Sequence, residues 1–205
     1  MVRRFGATIA HMSGVDLKYY IRSYDHHLDP VLCRRMIESF DSLGTLQQRN
    51  GRGIRAGLED SAWTELNVGK IADAAFLDMF RGLVDGALAR YNRDVGLPLA
   101  LPNSGRFASP IMKRYRPAGR EQFQLHFDAI NHVANRYLVL LWYLNDVEQG
   151  GETAFPQLQV SVAPQAGRLL MFPPYWMYQH EGRSPQSGDK YIISTYLLFE
   201  DPKPS

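Results

Sequence analysis

The sequence predicts an α+β fold, with helices in the first half supporting a β-sandwich or jelly roll in the second. Three observations carry this. Beyond Pro102, short runs rich in β-branched and aromatic residues follow one another, separated by Gly, Pro, Asn and Asp. Before Pro102, apolar residues recur at helical spacing in two stretches. Residues 137–144 are apolar on both faces, the pattern of a central strand covered by helix on one side.

Taken in order, residues 17–24 are rich in β-formers and read as a short strand. Asp29-Pro30 then opens a helix, with Asp as N-cap and Pro at the first helical position. Leu32, Cys33, Met36, Ile37 and Phe40 form its apolar stripe. Residues 44–60 have loop composition, broken by Gly51 and Gly53, and read either as a lid or binding loop or as a plain solvated connection. A longer helix is expected from about Val68 to Asp94, striped by Ala72, Phe76, Met79, Phe80, Leu83, Ala87 and Tyr91 and ended by Gly96, Pro98 and Pro102. Strands are expected at 110–115, 122–127, 136–144, 153–155, 159–162, 168–172, 177–180 and 191–199. No repeat, low-complexity tract or linker interrupts the chain, so residues 1–205 read as a single domain.

Composition limits the functional classes. With 205 residues, 45% hydrophobic and 21% charged, the chain has the make-up of an ordinary soluble globular protein. A formal net charge of +2 is too balanced to argue for nucleic acid as the main partner. One cysteine, Cys33, permits no intramolecular disulfide, which fits a reducing, cytoplasmic setting. Met1 to Gly6 carries two arginines but leads into no long apolar stretch, so neither a signal peptide nor a membrane span is expected. Lysine is scarce, at positions 18, 70, 113, 190 and 203 only.

The chemistry concentrates around Gln124-Leu125-His126-Phe127-Asp128 and Gln179-His180-Glu181-Gly182. At i and i+2 on a strand, His126 and Asp128 share a face. Two imidazoles and one carboxylate, with positions left open, make the ligand set of non-haem Fe(II) oxygenases. Other candidates are weaker. His26 and His27 have no acidic partner at metal spacing, and His132 reads as a loop or substrate-side residue. Tyr175, Trp176 and Tyr178 read as packing or a substrate wall. Arg114, Arg116 and Arg120 make either a solvated basic face or an attractor for an acidic substrate.

A wider order of motifs then matters: His126-Phe127-Asp128, Arg136, the run from Tyr143 through Gly150-Gly151-Glu152-Thr153 to Pro156, Val162 to Gly167, His180-Glu181-Gly182, and Lys190. In this order the chain resembles the 2-oxoglutarate- and Fe(II)-dependent dioxygenases of the prolyl 4-hydroxylase type, over roughly residues 107–199. The resemblance implies a double-stranded β-helix (jelly roll) over 107–199, supported by the strand and helices of 1–106. It implies that His126, Asp128 and His180 bind Fe(II), and that Lys190 holds the distal carboxylate of 2-oxoglutarate with hydroxyls from Tyr115 and Thr153. It places Arg136 near the substrate mouth, as a substrate contact; a pairing with an acidic neighbour such as Asp128, which it would orient, is the equal alternative. If Lys190 lies on a strand, Ile192, Ser194 and Tyr196 share its face, so Tyr196 also looks into the cavity. The implied reaction consumes O₂, with ascorbate as an accessory reductant. It hydroxylates a C–H bond, of a prolyl residue in a peptide or protein or else of a free amino acid or other small molecule.

Two positions depart from the family pattern and bear on substrate. Phe123 stands where a tyrosine is usual, three residues before His126, and Tyr196 where a tryptophan is usual, six after Lys190. The segment 116–121 is about two residues longer than usual. A reading of another class is a non-catalytic, metal-holding or sugar-binding jelly-roll module. Such a module has no need of Lys190.

Overall fold

The computed structural model describes residues 16–200. The expectation drawn from Met1 to Gly6 lies outside them. Helix α1, Pro30–Ser42, starts where the sequence places it: the Asp29 side chain accepts from the N–H groups of Val31 and Leu32. Cys33, Met36 and Phe40 are its buried stripe. The stretch expected as one helix from Val68 is two. Helix α2 is a single turn, Val68–Ile71, and α3 runs Ala74–Val95. The break falls at Ala72–Asp73, because the Asp73 carboxylate accepts from the Phe76 N–H and caps a new helix. Gly96, at φ 62°, ends α3 in the left-handed conformation that favours glycine.

The strands are β1 Arg22–Tyr24, β2 Gln48–Gly51, β3 Ala62–Asn67, β4 Ile111–Tyr115, β5 Phe123–His126, β6 Arg136–Tyr143, β7 Thr153–Phe155, β8 Val160–Val162, β9 Leu169–Phe172, β10 His180–Gly182 and β11 Lys190–Leu198. They form two sheets, of order β1-β9-β6-β11-β4-β3-β2 and β5-β10-β7-β8. Every pairing within them is antiparallel. This is the jelly-roll sandwich expected, with β6 and β11 at the centre of the larger sheet.

Strand β6 shows why its sequence is apolar throughout. Leu138, Leu140 and Trp142 pack with Phe40 of α1 and Phe80, Val84 and Leu88 of α3. Val139 and Tyr143 point the other way and pack with Phe155 of the smaller sheet. The helices thus brace one face of the larger sheet, and the space between the sheets is left for the site. Among the described residues no helix is long and apolar enough to cross a membrane.

Three further expectations are corrected. Residues 17–20 form a 3₁₀ turn rather than strand, because the Asp16 side chain caps it by accepting from the Lys18 N–H; only Arg22–Tyr24 is extended. Within the supposed loop 44–60, Gln48–Gly51 is an edge strand paired with β3, which the sequence reading missed. Its polar side chains suit an edge with one wet face and hide the alternation that would betray a strand. Residues 177–180 are not one strand. Trp176–Tyr178 is a 3₁₀ turn following two prolines that cannot donate to a ladder, and β10 begins only at His180.

Candidate active site

Strand pairing assembles the site. In the smaller sheet His180 of β10 lies directly opposite His126 of β5, and their ring centroids are 4.3 Å apart. Asp128 sits just past the end of β5, fixed by its N–H to the Pro174 carbonyl (3.0 Å) and by the Arg136 guanidinium donating to its own carbonyl (3.2 Å). The ligand atoms of His126, Asp128 and His180 all lie within 4.8 Å of one another.

Both imidazoles are oriented for metal binding. The Nδ1–H of His126 donates to the Gln124 carbonyl at 2.7 Å, and that of His180 to the Tyr178 carbonyl at 3.1 Å. With Nδ1 protonated, each Nε2 carries the free lone pair, and each lies 3.5 Å from an Asp128 oxygen. Asp128 Oδ1 accepts from the Tyr196 hydroxyl at 3.0 Å. Asp128 Oδ2 is buried with no hydrogen-bond partner among the described residues. A buried carboxylate oxygen left without a donor costs free energy that a cation would return. Two nitrogens and that oxygen, converging with room beside them, suit Fe(II).

The electrostatics agree. Burial works against the Asp128 carboxylate; His126 and His180, when protonated on Nε2, and the Arg136 guanidinium outweigh it and hold the carboxyl well below its usual range. Burial, then the neighbouring His126, pushes His180 down to about 4, so it is neutral and able to ligate at ordinary pH. Phe155 and Phe172 wall its ring, the latter edge-on at 4.7 Å between centroids.

Behind the metal group lies a cavity lined by Tyr115, Thr153, Lys190, Ile192, Ser194 and Tyr196, among others. The expected shared face of β11 is therefore real. Lys190 is buried, sits opposite Tyr115 in the β4–β11 register, and places its ammonium 5.0 Å from the Tyr115 ring centroid. Its Nζ donates to the Gly151 carbonyl at 2.7 Å, leaving its other N–H groups for a ligand. That close approach needs the glycine turn: Gly151 has φ 78°, and a Cβ there would meet the Lys190 side chain at 3.3 Å. Burial lowers the Lys190 ammonium to about 7, against the pull of Glu152 and with a further push from Lys113. Tyr143, which opens the motif run to Pro156 and has no role of its own in the sequence reading, donates to Thr153 Oγ1 at 2.6 Å. Thr153 then has its own hydroxyl proton to offer the cavity.

Arg136 lies at the mouth as expected, but its bond is to the Asp128 carbonyl, not the carboxylate, and its guanidinium stacks 3.7 Å from the Tyr196 ring centroid. Tyr196, expected as a substrate-contacting residue, lines the cavity and donates its hydroxyl to the Asp128 carboxylate. Phe123 stacks between Trp63 (4.7 Å) and His126 (4.0 Å). The wider mouth takes in Arg55 to Leu58 from the candidate lid, together with Trp63, Glu65, Lys113, Asn131 and His132. His132 stays outside the metal group. The long segment 116–121 folds back on itself, the buried Glu121 accepting from the Arg116 N–H at 3.0 Å.

Other candidates are structural. Trp142 Nε1 donates to His27 Nδ1 at 3.0 Å, and Arg114 pairs with Asp41 of α1 at 3.2 Å on the helix side of the sheet. Tyr178 is core, whereas Trp176 is exposed. Lys113 and Trp63 are the site residues the sequence reading missed. The available signal was Lys113 lying two residues before Tyr115 on the same strand face.

Residues 111–198 match the model of the 2OG-Fe(II) oxygenase superfamily. Over 88 residues the chain is 36% identical to a probable prolyl 4-hydroxylase of Arabidopsis thaliana; the shared stretch covers 38% of this chain and 30% of that protein. Among solved structures, a prolyl hydroxylase of Trichoplax adhaerens, in complex with a hypoxia-inducible-factor peptide, aligns with TM-score 0.66 at 16% identity, covering 88% of this chain and 84% of that one. A Pseudomonas putida prolyl 4-hydroxylase aligns with TM-score 0.63 at 22% identity, covering 89% and 94%. The collagen prolyl hydroxylase of Paramecium Bursaria Chlorella virus-1, in complex with 2-oxoglutarate, gives 0.61 at 19%, covering 89% and 98%. At these identities the structural likenesses establish the shared fold.

Proposed function

We propose that this chain, a prolyl 4-hydroxylase-like member of the 2OG-Fe(II) oxygenase superfamily through residues 111–198, is a hydroxylase acting on a C–H bond, with a prolyl residue of a peptide or protein as the first substrate class to test. The observation that carries the reading is the pairing of the two imidazoles and the orphaned Asp128 oxygen with a buried lysine behind them.

In this reading His126, Asp128 and His180 hold Fe(II). Lys190, with the hydroxyls of Tyr115 and Thr153, neutralises the far carboxylate of 2-oxoglutarate in a partly dry pocket, where charge-assisted hydrogen bonds are strongest. The chemistry supplied with Fe(II), 2-oxoglutarate and O₂ bound is oxidative decarboxylation to succinate and CO₂, coupled to conversion of a substrate C–H to C–OH. The protein's part is to position and to exclude water. Phe155 and Phe172 wall the buried His180 ring, Phe123 packs on the half-buried His126, and Tyr196 fixes one Asp128 oxygen so that the other is presented. A binding module without chemistry would gain nothing from burying Lys190. On the same reading the chain works as one unit in a reducing cytoplasmic setting, which its single buried Cys33 suits. A succinate-release screen over proline-containing peptides and free amino acids tests the reading; no release above background with iron and 2-oxoglutarate present would refute it.

Two consequences follow for single groups. Tyr196→Phe keeps the ring under Arg136 but deletes the hydrogen bond to Asp128. Iron affinity or turnover should fall roughly 10- to 100-fold, as when a ligand-orienting partner is removed, and an iron titration of the variant checks it. The second concerns pH. Binding a carboxylate raises the pKa of Lys190 from its free value of about 7. Affinity for 2-oxoglutarate is therefore full below that value and weakens as pH rises through it, by at most about tenfold per unit. The dependence of KM for 2-oxoglutarate on pH should show this slope, and Lys190→Met should flatten it.

A further inference from the structure

One cation in the mouth has no role in the reading above. Lys113, on β4, points to the inner face, with Glu65 of β3 and Ile192 of β11 as its register neighbours. It borders both the inner cavity and a cleft of about 510 Å³ that opens from the metal group to solvent. Its ammonium is held between aromatic faces, 5.5 Å from the Trp63 ring centroid and 5.4 Å from that of Phe123. It makes no hydrogen bond or ion pair among the described residues. The nearest acid in register, Glu65, accepts its hydrogen bonds from two neutral donors, Trp63 Nε1 at 2.6 Å and Asn50 Nδ2 at 3.2 Å, so it acts on Lys113 through its charge and not as a hydrogen-bonded partner.

The cleft as a whole is cationic. Its charged lining is Arg55, Lys113 and Arg136 against Glu65 and Asp128. Asp128 is committed to the metal group, and Lys190, the match for the cosubstrate carboxylate, is not part of this lining. A partly desolvated ammonium without an acceptor is costly, and cation–π contacts at these distances return only part of that cost. A neutral prolyl peptide offers Lys113 and Arg136 carbonyl acceptors but no anion to balance their charge.

We propose that Lys113, together with Arg136, binds a carboxylate of the primary substrate, so that the hydroxylated compound is an acid with its carboxylate near the reacting carbon. This rests on the hydroxylase reading above. The carboxylate belongs either to a free amino acid or to an Asp or Glu side chain beside the target residue in a peptide. Lys113 is a specificity residue in both cases.

The experiment measures succinate release at saturating 2-oxoglutarate, comparing free L-amino acids with their primary amides, and proline peptides carrying Asp or Glu next to proline with their Asn or Gln counterparts. Acids of one arm should be preferred to their neutral partners by tenfold or more in kcat/KM, and the responding arm identifies the source. Lys113→Met should bring that ratio close to one by raising substrate KM, and Lys113→Arg should restore it. Acid and amide used equally, or no acid stimulating release while the protein still gives the iron–2-oxoglutarate absorption band, overturns the inference alone. A Lys113→Met protein whose KM rises for 2-oxoglutarate instead also overturns it. The absence of that band in the unaltered protein overturns the hydroxylase reading and this inference together. The acid-versus-amide comparison needs no variant, so a poorly folding Lys113→Met protein does not blunt it.

Discussion

Replacing Asp128 by alanine is expected to reduce turnover to background, with 2-oxoglutarate consumption lost as well. The carboxylate is the only anionic group among the three clustered ligands, and its Oδ2 is buried without a donor. Its removal leaves two imidazoles and no anionic ligand to hold a divalent cation, and it leaves the Tyr196 hydroxyl without the oxygen it now serves. Burial of the site makes the loss larger, since no water can take the place of the charge cheaply. His126→Ala should do the same by a different route, removing a nitrogen set opposite His180 by strand register. The check is succinate release at ordinary iron concentration, with unfolding measured in parallel to show that the variants remain folded. Full activity in Asp128→Ala would contradict the ligand assignment.

The second large effect is expected at Lys190. Its ammonium is buried, with Gly151 as its hydrogen-bond acceptor and the Tyr115 and Tyr143 rings nearby. Lys190→Met keeps the chain's bulk but deletes the charge. A carboxylate buried without its partner loses about 3–5 kcal/mol, and each 1.4 kcal/mol is about a factor of ten in affinity. The concentration of 2-oxoglutarate required should therefore rise by roughly two to three orders of magnitude. The rate at saturation should fall much less, because Lys190 does not belong to the metal group. A KM-against-kcat comparison separates this from a role at the metal, which would lower kcat without moving the cosubstrate requirement.

The parts of the site carried by strand period were legible in the sequence. Lys190, Ile192, Ser194 and Tyr196 share a face because alternate residues must do so on extended chain; His126 and Asp128 do converge, but β5 ends at His126 and Asp128 is set in the bend beyond it by its N–H to the Pro174 carbonyl. The capped start of α1 at Asp29-Pro30 was legible because its signal is local. What failed depended on partners far away in sequence. Gln48–Gly51 is strand only because Ala62–Asn67 lies beside it, and composition alone reads it as loop. Asp73 divides a stretch whose apolar spacing runs straight through it. Tyr196 could be assigned a face but not its bond to Asp128, which spans 68 residues. Lys113 was passed over because a lysine on a strand ordinarily faces water, and only the flanking Trp63 and Phe123 show that this one faces inward.

The most direct test of the central claim is optical. Fe(II) is added to the protein without oxygen, followed by 2-oxoglutarate. With His126, Asp128 and His180 holding the iron, a weak visible metal-to-ligand charge-transfer band should appear only after both additions and be absent from Asp128→Ala. No band with both present, together with no succinate on admitting air, would contradict that claim.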